Sequence, residues 1–176
     1  MSKAVFLDRD GVINHTVFKM GKPRAPYTLE EFSFIDGVKE AVRLFKAHGY
    51  RIIVVTNQPD VARGWVAREQ VDLVNGYVQN ELQVDEVKSC FHTEKDTCLC
   101  RKPQPGMLLE AADRWGINLS ESFMVGDRLS DIEAGQRAGC KSILVGSGDE
   151  TENSTCSPEY QCQNLLAAAS WILATS

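Results

Sequence analysis

The chain has 176 residues, of which 43% are hydrophobic and 24% charged, and its net charge is −5. These values are ordinary for one globular domain over residues 1–176. No apolar run reaches the roughly 20 residues of a membrane helix, no cleavable leader is recognisable, and no basic stripe favours nucleic acid. We therefore expect a cytoplasmic protein that binds neither membrane nor nucleic acid.

Short apolar segments rich in β-branched residues alternate with amphipathic segments along the chain. The predicted strands are Ala4–Leu7, Arg51–Thr56, Glu86–Phe91, Ser122–Val125 and Ser142–Val145. The predicted helices are Gly37–Ala47, Ala67–Leu82, Gly106–Trp115 and Asp131–Ala138. This alternation is typical of a parallel sheet with right-handed crossovers and helices on both faces. The sequence therefore predicts a three-layer, Rossmann-like α/β fold.

Three segments fall outside this alternation. Residues 14–34 form a predicted long loop, and such loops in compact domains are usually functional or disordered. Residues 146–157 are polar and rich in Gly, Ser and Thr, so we expect flexibility within the range 146–162. Residues 163–174 have the pattern of a closing helix that packs over the sheet.

The first predicted strand ends in two carboxylates, Asp8 and Asp10, followed by Gly11. Ligands of open α/β sheets bind at the carboxyl ends of strands. Alternate residues of an extended chain point the same way, so both carboxylates can converge on one cation or substrate. An ordinary Asp-Gly turn explains the same residues, and the motif alone does not decide between these readings.

Two further groups have the chemistry of a phosphate site. Thr56 and Asn57 end the second predicted strand and offer neutral donors to phosphate oxygens, although strand-end capping is a common alternative. Arg101 and Lys102 precede the third predicted helix. Lys102 can neutralise a carboxylate and a phosphoryl group, and Arg101 can bind phosphate through two hydrogen bonds. A solvated basic pair is the alternative.

The fourth predicted strand ends in Gly126 and Asp127, with Asp131 shortly afterwards. Gly126 allows a close backbone approach. Mg²⁺ prefers hard oxygen ligands and keeps several waters, so Asp8 and Asp127 could hold it with a backbone carbonyl. Asp131 is a further candidate ligand, and helix N-capping explains it equally well.

A cluster of thiols and an imidazole lies within eleven positions: Cys90, His92, Cys98 and Cys100. Four protein ligands of this kind are typical of a closed, tetrahedral structural zinc site. Three buried thiols with an unrelated histidine, or a redox pair, are the alternatives. We expect a zinc loop over residues 90–100 that positions Arg101 and Lys102. The other thiols are expected to be a packed Cys140 and free Cys156 and Cys162 in a flexible tail.

In this order the motifs resemble the haloacid-dehalogenase-like phosphohydrolases, over almost the whole chain. The matching residues are Asp8-Arg9-Asp10-Gly11-Val12, Thr56-Asn57-Gln58, Lys102, and Gly126-Asp127 with Asp131. The resemblance implies that Asp8 attacks phosphorus and that Asp10 is the general acid and base. It also implies a phosphoryl group bound by Thr56, Asn57 and Lys102. Mg²⁺ would be held by Asp8, Asp10 and Asp127, with Asp131 as the further candidate.

The zinc cluster beside Arg101-Lys102-Pro103 is similar to two branches of this family. These are the heptose-1,7-bisphosphate 7-phosphatases and the histidinol-phosphate phosphatases. Gln58 and the run Val61-Ala62-Arg63-Gly64 also resemble both branches. The chain departs from the usual pattern at Pro59-Asp60, where a Ser-Gly pair is typical, and at Phe91, which replaces a common proline.

About 45 residues separate the first three motifs, which leaves no room for a cap domain. Loops should therefore roof the site, and they carry basic residues: Lys19, Lys22, Arg24, Arg63, Arg101 and Arg128. Cations concentrated on an acidic protein favour a bisphosphorylated sugar over the cationic histidinol phosphate. We expect Gln58, Arg63, Arg101 and Arg128 to contact this substrate.

The sequence thus predicts a monomeric, Mg²⁺-dependent phosphatase with a structural Zn²⁺. Its leading substrate is heptose 1,7-bisphosphate and the second candidate is histidinol phosphate. A nucleic-acid 3′-phosphatase would use the same chemistry, and the acidic charge weighs against it. The hypothesis from another class is a non-catalytic, zinc-stabilised interaction module.

Overall fold

A computed structural model describes residues 1–147 and 156–176. Within these residues the chain forms eight β-strands, in chain order β1 (Lys3–Leu7), β2 (Val17–Lys19), β3 (Lys22–Arg24), β4 (Tyr50–Asn57), β5 (Glu86–Cys90), β6 (Phe123–Gly126), β7 (Lys141–Val145) and β8 (Tyr160–Cys162). It also forms five α-helices, α1 (Val38–Ala47), α2 (Arg68–Leu82), α3 (Gly106–Trp115), α4 (Leu129–Ala138) and α5 (Leu165–Thr175). No helix in the described part of the chain is long and apolar enough to cross a membrane.

Six strands form one sheet in the order β5-β4-β1-β6-β7-β8, and every neighbouring pair is parallel. β1 lies near the centre, where Leu7 is in register with Val54 of β4 and with Val125 of β6. The carboxyl ends of β4, β1 and β6 therefore meet at one edge of the sheet. The three motifs that follow these strands are brought together there.

The core has two layers because successive side chains of a strand point to opposite faces of the sheet. In β1, Val5 and Leu7 pack with buried residues of α1, α2 and α5, whereas Ala4 and Phe6 pack with those of α3 and α4. Helices therefore cover both faces, as predicted. The predicted closing helix is confirmed as α5, which packs against α1.

The structure also contains strands that the sequence did not predict. β8 pairs in parallel with β7, so Cys162 lies in a strand instead of a flexible tail. The three residues of β8 are only half-buried or exposed at the edge of the sheet, which leaves a weak apolar signal. β2 and β3 form a hairpin inside the predicted loop 14–34. Residues 148–155 of the predicted flexible segment lie outside the described residues.

Candidate active site

The site forms at the carboxyl ends of β1, β4 and β6. Asp8 follows β1 directly, and its backbone N–H donates to the carbonyl of Val125 in β6 at 3.0 Å. Asp127 directly follows the last residue of β6. Oxygen atoms of Asp8, Asp127 and Asp131 lie within 4.8 Å of one another, so the three carboxylates could hold one metal ion.

Two glycines make this approach of the carboxylates feasible. A Cβ atom at Gly11 would lie 2.1 Å from Oδ2 of Asp127, and Gly11 has a φ of +92°, which favours glycine. A Cβ atom at Gly126 would lie 2.1 Å from Cβ of Asp131. The close backbone approach predicted at Gly126 is therefore present.

Lys102 brings the positive charge to these carboxylates. Its buried Nζ lies 2.7 Å from Oδ1 of Asp8 and 2.6 Å from Oδ1 of Asp131, and it donates to the carbonyl of Val55 at 2.8 Å. Burial lowers the pKa of Lys102, but the charges of Asp131 and Asp8 more than offset this and raise it above its usual value. Lys102 is therefore a fixed ammonium ion beside Asp8.

One cation does not neutralise the acidic cluster. Burial raises the pKa of Asp8 to about 6 against the opposing effect of Lys102. Burial, together with the charges of Asp8 and Asp131, raises the pKa of Asp127 to about 8. Oδ1 of Asp127 is buried and has no hydrogen-bond partner among the described residues. An oxygen donor set of this kind, with excess negative charge, fits a divalent cation such as Mg²⁺.

Asp131 has both of its oxygens engaged. Oδ1 contacts Lys102, and Oδ2 accepts from the backbone N–H of Arg128, the residue before α4, at 3.1 Å. Asp131 is therefore the third residue of α4 and not its N-cap, which is Arg128. Asp131 also fixes Lys102, a contact that the sequence did not predict.

Asp10 is surrounded by hydrogen-bond donors. The guanidinium of Arg9 donates to both oxygens at 3.1 and 3.2 Å. Nδ2 of Asn14 donates to Oδ1 at 2.9 Å, and Nε2 of Gln58 donates to Oδ2 at 2.7 Å. The Asp10 carboxylate is therefore held in one orientation by four donors.

Sequence reasoning did not assign roles to Arg9 and Asn14. Arg9 is fully buried, and its Nη1 also donates to Oδ1 of Asn75 in α2 at 2.7 Å. A basic residue between two aspartates was the available signal, because a charge at the end of a buried strand needs a partner.

The neutral polar residues of β4 have different surroundings. Thr56 is buried, and its Oγ1 accepts from Nε2 of Gln58 at 2.9 Å, which leaves the hydroxyl proton for another acceptor. The Asn57 side chain makes two hydrogen bonds of 3.1 Å to the backbone of Lys102. In this structure Asn57 thus positions Lys102, and Gln58 joins Thr56 to Asp10.

The predicted basic residues lie on the loops around the site. Arg63 contacts Asp60 and Glu94, each at 2.9 Å. Arg101 donates to the carbonyl of His92 at 3.2 Å, within the predicted zinc loop. Arg128 is exposed at the start of α4.

The predicted zinc ligands form one cluster. Cys90, His92, Cys98 and Cys100 each bring a ligand atom within 4.8 Å of the others. Sγ of Cys90 lies 3.9 Å from Sγ of Cys98 and 2.7 Å from Sγ of Cys100, and Nδ1 of His92 lies 3.4 and 3.3 Å from Sγ of Cys90 and Cys100. The edges of a tetrahedral zinc–thiolate site are about 3.8 Å. This donor set therefore has the composition for zinc, and Cys90 and Cys100 would have to move apart by about 1 Å to hold it.

Comparison with known proteins first identifies the class of protein to which this chain is similar. Residues 99–168, which include Lys102 and Asp127, match the family model described as HAD-hydrolase-like. Among solved structures, the D,D-heptose 1,7-bisphosphate phosphatase from B. bronchiseptica, complexed with magnesium and phosphate, has a TM-score of 0.83. It is 29% identical to this chain, and the match covers 99% of both chains.

Curated relatives narrow the class further. The D-glycero-β-D-manno-heptose-1,7-bisphosphate 7-phosphatase of Helicobacter pylori is 34% identical over 97% of both chains. The corresponding α-anomer enzyme of Campylobacter jejuni is 34% identical over 86% of both chains. The chain therefore belongs to the haloacid-dehalogenase-like hydrolases, in the family that contains these heptose-1,7-bisphosphate 7-phosphatases.

Proposed function

We propose that this chain is a Mg²⁺-dependent phosphatase that removes the 7-phosphate of D-glycero-D-manno-heptose 1,7-bisphosphate. The observation that carries the proposal is the buried contact between Lys102 and Asp8 beside Asp127. A carboxylate nucleophile needs a nearby cation because it must approach an anionic phosphoryl group. Lys102 and a metal ion at Asp8 and Asp127 together supply that charge.

Asp8 attacks phosphorus, and the bond from phosphorus to the sugar oxygen breaks. Asp10 gives its proton to the departing oxygen, which leaves an aspartyl-phosphate on Asp8. Asp10 then takes a proton from water as that water attacks phosphorus, the bond between phosphorus and the Asp8 oxygen breaks, and phosphate leaves. The four donors around Asp10 hold its carboxyl group in one orientation, as a positioned acid and base requires. One of these four hydrogen bonds must break when Asp10 carries its proton, because the protonated oxygen is itself a donor.

The neighbouring groups would bind the phosphoryl oxygens and the metal. Thr56 offers its hydroxyl proton and Lys102 its ammonium, while Asn57 keeps Lys102 in place. Mg²⁺ would be held by Asp8, Asp10 and Asp127, and Asp131 would keep Lys102 in place. When bound, Mg²⁺ neutralises charge on the transferring phosphoryl group. Zn²⁺ at Cys90, His92, Cys98 and Cys100 would have a structural role, since the four protein ligands leave no open position.

The substrate assignment draws on the names of the relatives and on the basic loops. Relatives with comparable identity are named for the α and the β anomer, so the assignment is made to the heptose bisphosphate without an anomer. Arginines on the loops over the site favour a doubly phosphorylated sugar over histidinol phosphate.

We also propose that the whole chain acts as one domain and as a monomer. Light scattering tests the monomeric state directly.

Hydrolysis of a chromogenic aryl phosphate in the presence of Mg²⁺ tests the reaction. Asp8→Asn should abolish turnover, whereas Asp113→Asn, which removes the same charge from an exposed position of α3, should not. Equal rates for the wild type and Asp8→Asn would favour the zinc-stabilised interaction module. Rates for both heptose 1,7-bisphosphate anomers and for histidinol phosphate then select the substrate, and a preference for histidinol phosphate would replace the heptose assignment.

A further inference from the structure

Asp60 lies in the turn after β4, where the chain departs from the usual pattern of its family. Its carboxylate is buried and accepts hydrogen bonds from three side chains. These are Nη1 of Arg63 at 2.9 Å, the hydroxyl of Tyr27 at 2.8 Å, and Nη1 of Arg24 at 3.3 Å. Asp60 thus connects the hairpin segment 17–34 to its own turn, so its role exceeds that of a solvated turn residue.

These contacts belong to a longer series of charges that we call the arginine chain: Arg24, Asp60, Arg63, Glu94 and Arg101. Arg63 contacts Glu94 at 2.9 Å, and Nη2 of Arg101 lies 3.9 Å from the same carboxylate. The series runs from the hairpin segment, through the turn after β4, to the predicted zinc loop. Three guanidinium groups face two carboxylates, so the five residues of the arginine chain together carry a net positive charge.

One end of the arginine chain has a free donor. Nε of Arg24 is buried and has no hydrogen-bond partner among the described residues. The Arg24 guanidinium lies 4.3 Å from the ring centroid of Trp65, and the Arg63 guanidinium lies 5.3 Å from the same centroid. Asp60 contacts both guanidinium groups, and its negative charge offsets the repulsion between these like charges on one ring. An anionic acceptor would satisfy the remaining donor.

We propose that Asp60 is a positioning residue that holds Arg24 and Arg63 to bind a second anionic group of the substrate. This inference rests on the proposed function, because the scissile phosphate occupies Asp8 and Lys102. A phosphate suits the geometry, since guanidinium donors bind its oxygens in pairs. The turn that carries Asp60 also carries Gln58, which contacts Asp10. The second anion is therefore bound on the loop that contacts the catalytic acid.

Two substrates that share the same scissile group test this proposal: heptose 1,7-bisphosphate and heptose 7-phosphate. The wild type should prefer the bisphosphate, because only it offers a second phosphate. Asp60→Asn keeps the size of the side chain and removes its charge. We expect it to lower the ratio of the two kcat/KM values about tenfold, through KM for the bisphosphate, as for a lost charge-assisted contact. Asp113→Asn is the charge-matched control.

Arg24→Gln provides a second variant should Asp60→Asn fold poorly by circular dichroism. It should lower the same ratio, and the double variant should lower it no further than the stronger single variant. Equal losses on both substrates, or none, would overturn the proposal. A wild type that hydrolyses both sugars equally well would overturn it while leaving the phosphatase assignment intact. A wild type inactive on both sugars and on an aryl phosphate would overturn the proposed function itself.

Discussion

Arg9 and Asp10 are neighbours in the chain, and the guanidinium of Arg9 donates to both carboxylate oxygens of Asp10. Because Arg9 is fully buried and is also bonded to Asn75, it ties the orientation of Asp10 to α2. The proposed acid is thus oriented from inside the fold, through a fully buried residue.

Arg9→Lys should therefore impair turnover more than binding. Lysine keeps the charge but cannot reproduce the two-pronged contact with Asp10. We expect kcat on an aryl phosphate to fall about tenfold or more, with a much smaller change in KM. Steady-state kinetics measures both constants, and Arg43→Lys on the exposed face of α1 is the matched control. An unchanged kcat would show that Arg9 has only a structural role.

The pKa values of Asp8 and Asp127 predict how stability depends on pH when no Mg²⁺ is added. Asp127 has a pKa of about 8 in the folded protein against an ordinary 3.8, so between these values the folded state binds more protons than the unfolded chain. The free energy of unfolding should then fall as the pH rises from about 4 to about 8. Asp8, with its pKa raised to about 6, contributes in the same direction.

Asp127→Asn should remove most of this dependence, because the amide resembles the neutral acid. At pH 8 without added Mg²⁺ we expect it to increase the free energy of unfolding by on the order of 2 kcal/mol. Mg²⁺ should stabilise the wild type and not the variant. Thermal melts across the pH range measure this, in buffer without chelators so that any zinc stays bound. A variant as pH-dependent as the wild type would refute the explanation.

The glycine that precedes Asp127 should tolerate no side chain. Gly126→Ala would drive a Cβ into Asp131, which displaces both Lys102 and the cap of α4. We expect a loss of roughly 3 kcal/mol or more and no measurable phosphatase turnover. Gly76→Ala is the control, since Gly76 lies in α2 with open space around it. That variant should be more stable by about 0.5–1 kcal/mol. Chemical denaturation compares the two.

The cysteine cluster should hold zinc in protein purified without chelators. Cys98→Ser should lose the metal and lower Tm by roughly 10 °C, and it should impair turnover through Arg101 and Lys102. Binding of Mg²⁺ should persist, because its proposed ligands lie on other strand ends. Cys162→Ser in β8 should retain zinc. Metal analysis with a thermal melt decides, and wild-type protein without zinc would contradict the assignment.

The arrangement of strand ends was predictable because buried parallel strands are continuous apolar runs. In β1 and β6 each run stops at the residue before Asp8 or at the glycine before Asp127. The parallel pairing of β1 and β6 then places Asp8 and Asp127 side by side. The clustering of Cys90, His92, Cys98 and Cys100 was predictable for a similar reason, since its spacing is local. That this cluster binds zinc stays a prediction.

Other features depend on contacts between distant residues. Asn57 is predicted to bind phosphate, and the structure adds a contact of its amide with the backbone of Lys102, 45 positions away. The hydrogen bonds of Asp60 come in part from Arg24 and Tyr27. These residues lie in and after a hairpin whose strands are too polar to be predicted from an apolar pattern. β8 forms because β7 offers an edge. Composition and spacing carry no information on such pairings.

Lys102 places its ammonium between Asp8 and Asp131. The site therefore contains a counter-ion of its own, built into the polypeptide. We therefore expect the fold to form around these acids without added magnesium, so that folding and metal binding are separate events.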